Sequence, residues 1–276
     1  MNNRISAASI AAAIGVCLAH AGLALAEETA HHPVADDDDG ALCLAFGPQS
    51  PRDISKVDGI NPVVFDLAPP RTEMELCNIH THTNAEHKGP GYSVFVNDGE
   101  HGGYACNETD SLSEAELEPL EGAFHGVAPG DTIEVHWVHT TCAAEPGPGL
   151  GSCVPESCEN PVLRVEAQTF LVVNDPDALD FMDMVSIKHG GGYFQPGVIP
   201  ANTGTPVVYL GSTTGPSYNQ SQCSPAKVTW SVRPQCAKVD IATIHQWAEQ
   251  GNVFEEDHSH GVRQLVTAPE LLSSID

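Results

Sequence analysis

The stretch Cys77-Asn78-Ile79-His80-Thr81-His82-Thr83-Asn84-Ala85-Glu86-His87-Lys88-Gly89, taken with Glu134-Val135-His136-Trp137-Val138-His139, decides how this chain is read. His80 and His82 are two residues apart, and alternate residues of an extended strand point to one face. Two imidazoles on one face are two ligands for a single metal ion. His136 lies in the β-branched run from Thr132 to Val138, which also reads as a strand, with Glu134, His136 and Val138 on one face. Placed beside the first strand, it brings a third imidazole. Three histidines and one open position form the arrangement of a catalytic zinc site, whereas structural zinc sites close with four protein ligands. His139 falls on the opposite strand face from His136 and reads as structural.

The chain's 276 residues suffice for one large domain or two small ones. A short basic start, Met1-Asn2-Asn3-Arg4, precedes an apolar run from Ile5 to Leu25 that ends Ala24-Leu25-Ala26. This predicts a signal peptide over residues 1–26 and an exported protein, periplasmic or secreted. Ala, Gly and Ser dilute the run and His20 interrupts it, which argues against a stable membrane anchor. Loss of Cys17 with the leader leaves Cys43, Cys77, Cys106, Cys142, Cys153, Cys158, Cys223 and Cys236. An even set in an exported chain predicts disulfides, and no CxxC pair supports a cysteine-ligated zinc. The pairing itself does not follow from spacing. A net charge of −26 argues against nucleic acid and anionic membranes as partners. Oligomeric state has no signature here.

Residues 27–40, with His31-His32 and Asp36 to Asp39, read as an acidic linker. Residues 41–250 are dense in Gly and Pro, with short β-branched stretches at 63–65, 92–96, 132–138, 162–173, 206–210 and 228–232. That pattern predicts one mainly β domain. Helices are few: 112–120, 178–185 and 241–250. Residues 251–276, which include Glu255-Glu256-Asp257-His258-Ser259-His260, read as an acidic, solvated C-terminal extension.

Four segments, in order, resemble the carbonic anhydrases. Gln49-Ser50-Pro51-Arg52-Asp53-Ile54 resembles the Gln-Ser-Pro-x-Asp/Asn-Ile segment of the α class. His80-x-His82 resembles the first ligand pair, and Glu134-Val135-His136-Trp137-Val138-His139 the Glu-Leu-His-x-Val-His segment with the third ligand. Gly211-Ser212-Thr213-Thr214-Gly215-Pro216, followed by Val228-Thr229-Trp230, resembles Gly-Ser-Leu-Thr-Thr-Pro-Pro followed by Val-Thr-Trp. The compact block from Cys77 to Gly89 is more similar to the δ class.

The resemblance implies a single domain around a large, mainly antiparallel twisted central sheet, with the metal at the bottom of a conical cleft. It implies reversible hydration of CO₂ to bicarbonate, with Zn²⁺ on His80, His82 and His136 and cobalt or cadmium as substitutes. Three neutral imidazoles leave the dication's charge intact, so it acidifies a water molecule and supplies a nucleophile at neutral pH. By the same resemblance Thr213 orients that nucleophile and Glu86 accepts from Thr213. Glu134 orients His136, and Val138 and Trp230 line the CO₂ pocket. A Cys43–Cys223 disulfide is implied in the same way.

Two departures stand out. Glu86 follows His82 by only four residues, where the α class has a longer insertion. Gly-Ser-Leu-Thr-Thr is shortened to Gly-Ser-Thr-Thr, so the choice between Thr213 and Thr214 depends on alignment; Thr213 preserves Thr-Thr-x-Pro. No residue matches the family's proton-shuttle histidine, for which His87, His101, His125 and His139 are all candidates. A cupin metalloenzyme explains His80-x-His82-x₃-Glu86 but neither Gln-Ser-Pro nor the threonine loop. An exported, non-catalytic metal-binding protein is the third reading, and the retained histidines argue against it.

Overall fold

The computed structural model describes residues 41–97 and 102–275. Residues 1–40, 98–101 and 276 lie outside the described residues, and with them the expected leader, the linker and His101. The described elements run in the order β1 (Glu75–Thr83), β2 (Tyr92–Val96), β3 (Gly103–Cys106), β4 (Thr132–Thr140), β5 (Leu163–Val173), α1 (Phe181–Val185), β6 (Ile187–Gly190), β7 (Tyr193–Pro196), β8 (Val207–Ser212), β9 (Lys227–Val232), β10 (Ala237–Asp240) and α2 (Ile241–Glu249).

The protein is mainly β, built on one six-stranded mixed sheet ordered β1-β4-β5-β9-β8, with β10 also on β5. β1/β4, β4/β5 and β8/β9 are antiparallel. β9 and β10 both run parallel to β5, the first against Leu163 to Ala167 and the second against Phe170 to Val173. One long strand is thus flanked on the same edge by two short ones end to end.

Period-two alternation makes β4 bury both faces. Ile133, Val135 and Trp137 pack with Phe170, Val172, Phe181, Met184, Ile244 and Trp247 against α1 and α2. Glu134, His136 and Val138 face the other way. There Val138 joins Leu163, Val165, Val228 and Trp230 in a second apolar cluster. Both helices start at aspartate caps, Asp180 accepting from the Met182 N–H and Asp240 from the Ala242 N–H.

The register between β1 and β4 positions the site. Leu76 opposes His139, but Asn78 opposes Val138, so one extra residue, Cys77, is accommodated in β1. Beyond this bulge His80 opposes His136 and His82 opposes Glu134. A shift of one residue moves every side chain to the other face. Without the bulge, Ile79 would stand opposite His136, and both β1 histidines would leave its face. Cys77 is pinned by a disulfide to Cys153, at the end of the 3-10 turn Leu150–Cys153. The other disulfides are Cys43–Cys223, Cys106–Cys236 and Cys142–Cys158. Four disulfides point to an oxidising compartment. Among the described residues no helix is long and apolar enough to cross a membrane.

Three expectations need correction. Residues 63–65 form no strand; Pro62, Pro69 and Pro70 bound the segment, and proline cannot donate to a ladder. Residues 112–120 form no α-helix. Ser113 and Glu116 make the reciprocal bonds of a helix start, but Pro119 follows within one turn. Residues 251–275 are no solvated extension. The His260 N–H donates to Thr81 O and His260 O accepts from the Thr83 N–H, so the tail covers the free edge of β1. Arg263, 1% exposed, donates to Ser50 O, Gln49 Oε1 and Asn219 O.

If the bulge depends on its disulfide, Cys153→Ser should lower both thermal stability, by about 2–4 kcal/mol, and the affinity for a divalent ion. Calorimetry and cobalt titration measure the two. Metal affinity equal to that of the unaltered protein would show that the register holds without the bridge.

Candidate metal centre

Ligand nitrogens of His80, His82 and His136 lie within 4.8 Å of one another. The ring centroids are 4.7 to 5.0 Å apart. His80 Nε2 and His136 Nδ1 are 3.3 Å apart. Two nitrogens bound tetrahedrally at roughly 2.0–2.1 Å from one zinc would stand roughly 3.3 Å apart, so this pair already has the spacing of ligands.

Each ring's other nitrogen is occupied or faces a carboxyl group. The His80 Nδ1–H donates to Asn78 Oδ1 at 2.6 Å, and Asn78 is itself held by donating to Gly147 O. His136 Nε2 is 3.2 Å from Glu134 Oε1. His82 Nδ1 faces Glu86 Oε2 at 3.7 Å, and neither nitrogen of this buried ring has a hydrogen-bond partner. A buried imidazole left unpaired is costly, and a cation on its free nitrogen removes that cost. The donor set offered is therefore His80 Nε2, His82 Nε2 and His136 Nδ1. Burial and the neighbouring imidazoles push His80 and His82 well below the usual histidine range; burial also lowers His136. All three are neutral at neutral pH, as ligands must be.

Glu134 is the electrostatic anchor. Its Oε2 accepts from the N–H groups of Glu86 and His87, and its Oε1 accepts from the His87 Nδ1–H at 2.6 Å. Burial alone would raise its pKa, but His87 and His136 outweigh that and hold it well below the carboxylate range. Asn84, at φ 63°, supplies the turn that folds Glu86 and His87 back onto Glu134. His87 continues the chain of contacts, its Nε2 meeting the Tyr209 hydroxyl at 2.7 Å, which in turn reaches Ser50 Oγ at 3.2 Å. Ser50 and Ser212 exchange hydrogen bonds, each hydroxyl accepting from the other's N–H. The Gln-Ser-Pro segment therefore braces the Gly-Ser-Thr-Thr loop. A Cβ on Gly211 would strike Ser50 Oγ and the Trp230 ring.

A cavity of about 240 Å³ opens above the histidines. Val138, Leu163, Val165, Val228 and Trp230 give it an apolar lining, and Thr213, Thr214, Glu256 and His260 line it as well. The two threonines differ. Thr213 Oγ1 is bonded to Ser224 Oγ at 2.5 Å. No donor meets Glu86 in tight geometry. Burial and the Glu134 charge drive its pKa well up, while the Thr214 hydroxyl, together with Arg263's charge and its backbone N–H, draws it down. Thr213's hydroxyl is thus engaged by Ser224, and Thr214 is the threonine that acts on Glu86. A gap-free count from Gly211-Ser212 sets Thr213 against the family's Leu and Thr214 against its first Thr.

The remaining histidines separate clearly. His87 is buried between Glu134 and Tyr209. Glu86, His87 and His136 also cluster, but both His87 nitrogens are engaged, so this second set lacks its third ligand. His125 lies away from the cavity, its N–H donating to Asp257 O. His139 is buried on the far face, its Nδ1–H donating to Trp137 O. His260, from the tail, is the imidazole besides the three that lines the cavity. Sequence reasoning missed it, and it missed Asn78, although Asn78 shares the strand face of His80 and His82.

The family described as delta carbonic anhydrase matches residues 71–243. That is more than half of the chain, and the chain belongs to this family, whose members are lyases that hydrate CO₂ reversibly. No curated protein sequence matches. Two solved structures are similar: α-carbonic anhydrase from Thermovibrio ammonificans in complex with sulfanilamide, and Photobacterium profundum α-carbonic anhydrase. The first is 15% identical, with 77% of this chain and 82% of the other covered, at a TM-score of 0.26. The second is 18% identical, with 79% and 86% covered, at 0.27.

Two outcomes are expected. Glu134→Gln keeps the shape but loses the charge that orients His136, so cobalt affinity should fall by about 10–100-fold; unchanged affinity in titration would remove Glu134 from the centre. His139 is held down to about 4 by burial, below its value of 6.5 in an unfolded chain. The unfolded state therefore binds more protons between these values. This contribution, roughly 3 kcal/mol, is complete above pH 6.5 and lost as pH falls towards 4. Urea unfolding of His139→Gln should show a shallower acid loss than the unaltered protein.

Proposed function

We propose that this chain is a zinc-dependent carbonic anhydrase whose ion is held by His80, His82 and His136. The observation that carries the reading is the opposition of His80 and His136 across β1 and β4, with His82 on the same face. The identity of the ion as zinc rests on the all-imidazole donor set, which suits a borderline-soft tetrahedral cation. When bound, the dication acidifies a water molecule and supplies a nucleophile at neutral pH.

The chain's own residues do the rest. Asn78 and Glu134 fix the rings and their tautomers. Thr214 donates its hydroxyl proton towards Glu86, so it offers only a lone pair to the cavity and accepts a proton from what lies there. A nearby dication favours the ionised form of Glu86, which keeps it an acceptor. Val138, Leu163, Val165, Val228 and Trp230 present an apolar wall, which suits a small non-polar molecule such as CO₂ and gives bicarbonate no donor. Export through a leader at residues 1–26 is part of the same proposal, and the four disulfides support it.

Dialysis against a chelator should abolish fast CO₂ hydration in a stopped-flow assay, and stoichiometric zinc should restore it. Folded, zinc-loaded protein with no rate above buffer would overturn the reading. Thr214→Ala should keep the ion and slow turnover by about 10²-fold, as expected for a lost orienting contact, while Thr213→Ala should cost little. A collapsed rate in Thr213→Ala with normal turnover in Thr214→Ala would reverse the assignment.

A further inference from the structure

The cavity holds a fourth imidazole that is not in the ligand set. The His260 ring centroid lies 5.9 Å from that of His80 and 6.2 Å from that of His82, against 4.7 to 5.0 Å among the three ligands. Its backbone cannot wander. His260 bridges the edge of β1 at His82, bonded to Thr81 O and the Thr83 N–H, and Thr81 Oγ1 and Ser259 Oγ are 2.7 Å apart. Only the side-chain torsions of His260 remain to decide where its ring points.

Glu256 decides them. His260 Nε2 lies 3.0 and 2.9 Å from the two Glu256 oxygens, so its N–H is shared between them. Glu256 is itself fixed: its backbone N–H donates to Asn252 Oδ1, and its O accepts from Asn252 Nδ2. The carboxyl group is nearly buried, with 6% of the side chain exposed, while 43% of the His260 side chain is exposed. A buried carboxylate at the mouth of a metal cavity needs a partner, and this one uses its two oxygens on a single imidazole. The nitrogen that donates to Glu256 has no lone pair for a cation, so only Nδ1 could ligate, and the bond to Glu256 holds the ring at its present distance from the three ligands.

We propose that Glu256 is a positioning residue that keeps the metal centre open, by holding His260 at the cavity rim and out of the fourth coordination position. Released from Glu256, His260 swings in as a fourth ligand and converts an open three-histidine centre into a closed four-histidine one. Closed four-ligand zinc sites are structural, and open ones leave room for water or substrate. The chain thus carries both states in one set of side chains, and one carboxylate selects between them. The inference rests on the three-histidine reading of the centre.

The test uses full-length protein loaded with Co²⁺ alone, read by X-ray absorption and visible spectra. His80→Ala should prevent stoichiometric loading; if it does not, the three-histidine reading fails, and this inference with it. Given loading at that site, Glu256→Ala should raise the imidazole count from three to four and slow cobalt release by about tenfold or more. Added thiocyanate should then no longer perturb the spectrum. Glu256→Gln, whose amide oxygen still accepts from His260, should keep the three-imidazole spectrum. Glu256→Ala with His260→Ala should restore it. Three imidazoles and an unchanged thiocyanate response in Glu256→Ala would overturn the inference while leaving the three-histidine centre intact.

Discussion

The antiparallel pairing of β1 with β4 is the constraint on which the site depends. Its register puts His80 opposite His136 and His82 opposite Glu134. Those two pairings create a ligand cluster and the carboxylate that orients it. The register is set by one bulged residue, Cys77, which is pinned to Cys153. The same turn that ends in Cys153 contributes Leu150 to the cavity. Backbone register, a disulfide and the cavity wall are thus one mechanical unit.

Around this unit the charges are arranged in depth. Glu134 is ionised inside the protein because two backbone N–H groups and His87 hold it. Tyr209 and Ser50 extend that chain of contacts to the loop that carries Thr214. Arg263, from the tail, donates to Gln49 and Ser50, and its charge draws the Glu86 pKa down. A site of buried polar groups needs every partner in place. That requirement explains why segments far apart in sequence, residues 49–52, 211–214 and 256–263, converge on one sheet face.

Much of this was legible in the sequence, and the failures have physical causes. Alternation in β4 and the His-x-His spacing in β1 report strand faces directly, so the three histidines and the Glu134 and Val138 that share the β4 face could be read, whereas Trp230 was named only by resemblance to the carbonic anhydrases. The bulge at Cys77 leaves no signature in residue type, and only the pairing reveals it. The tail was misread because its charges suggest solvent, yet Glu256 and Arg263 are buried against specific partners. Two adjacent hydroxyls look alike in sequence, so the choice between Thr213 and Thr214 depends on alignment; in the fold Thr213 is engaged by Ser224. The helix expected at 112–120 shows a start signal without the length to propagate.

The central claim is that strand register gathers three imidazoles onto one ion. Anomalous diffraction from crystals of the zinc-loaded protein, recorded at the zinc edge, tests it most directly. The account predicts a single strong peak within bonding distance of His80 Nε2, His82 Nε2 and His136 Nδ1. A peak at Glu86 and His87, at His139, or away from the β1–β4 face would contradict it.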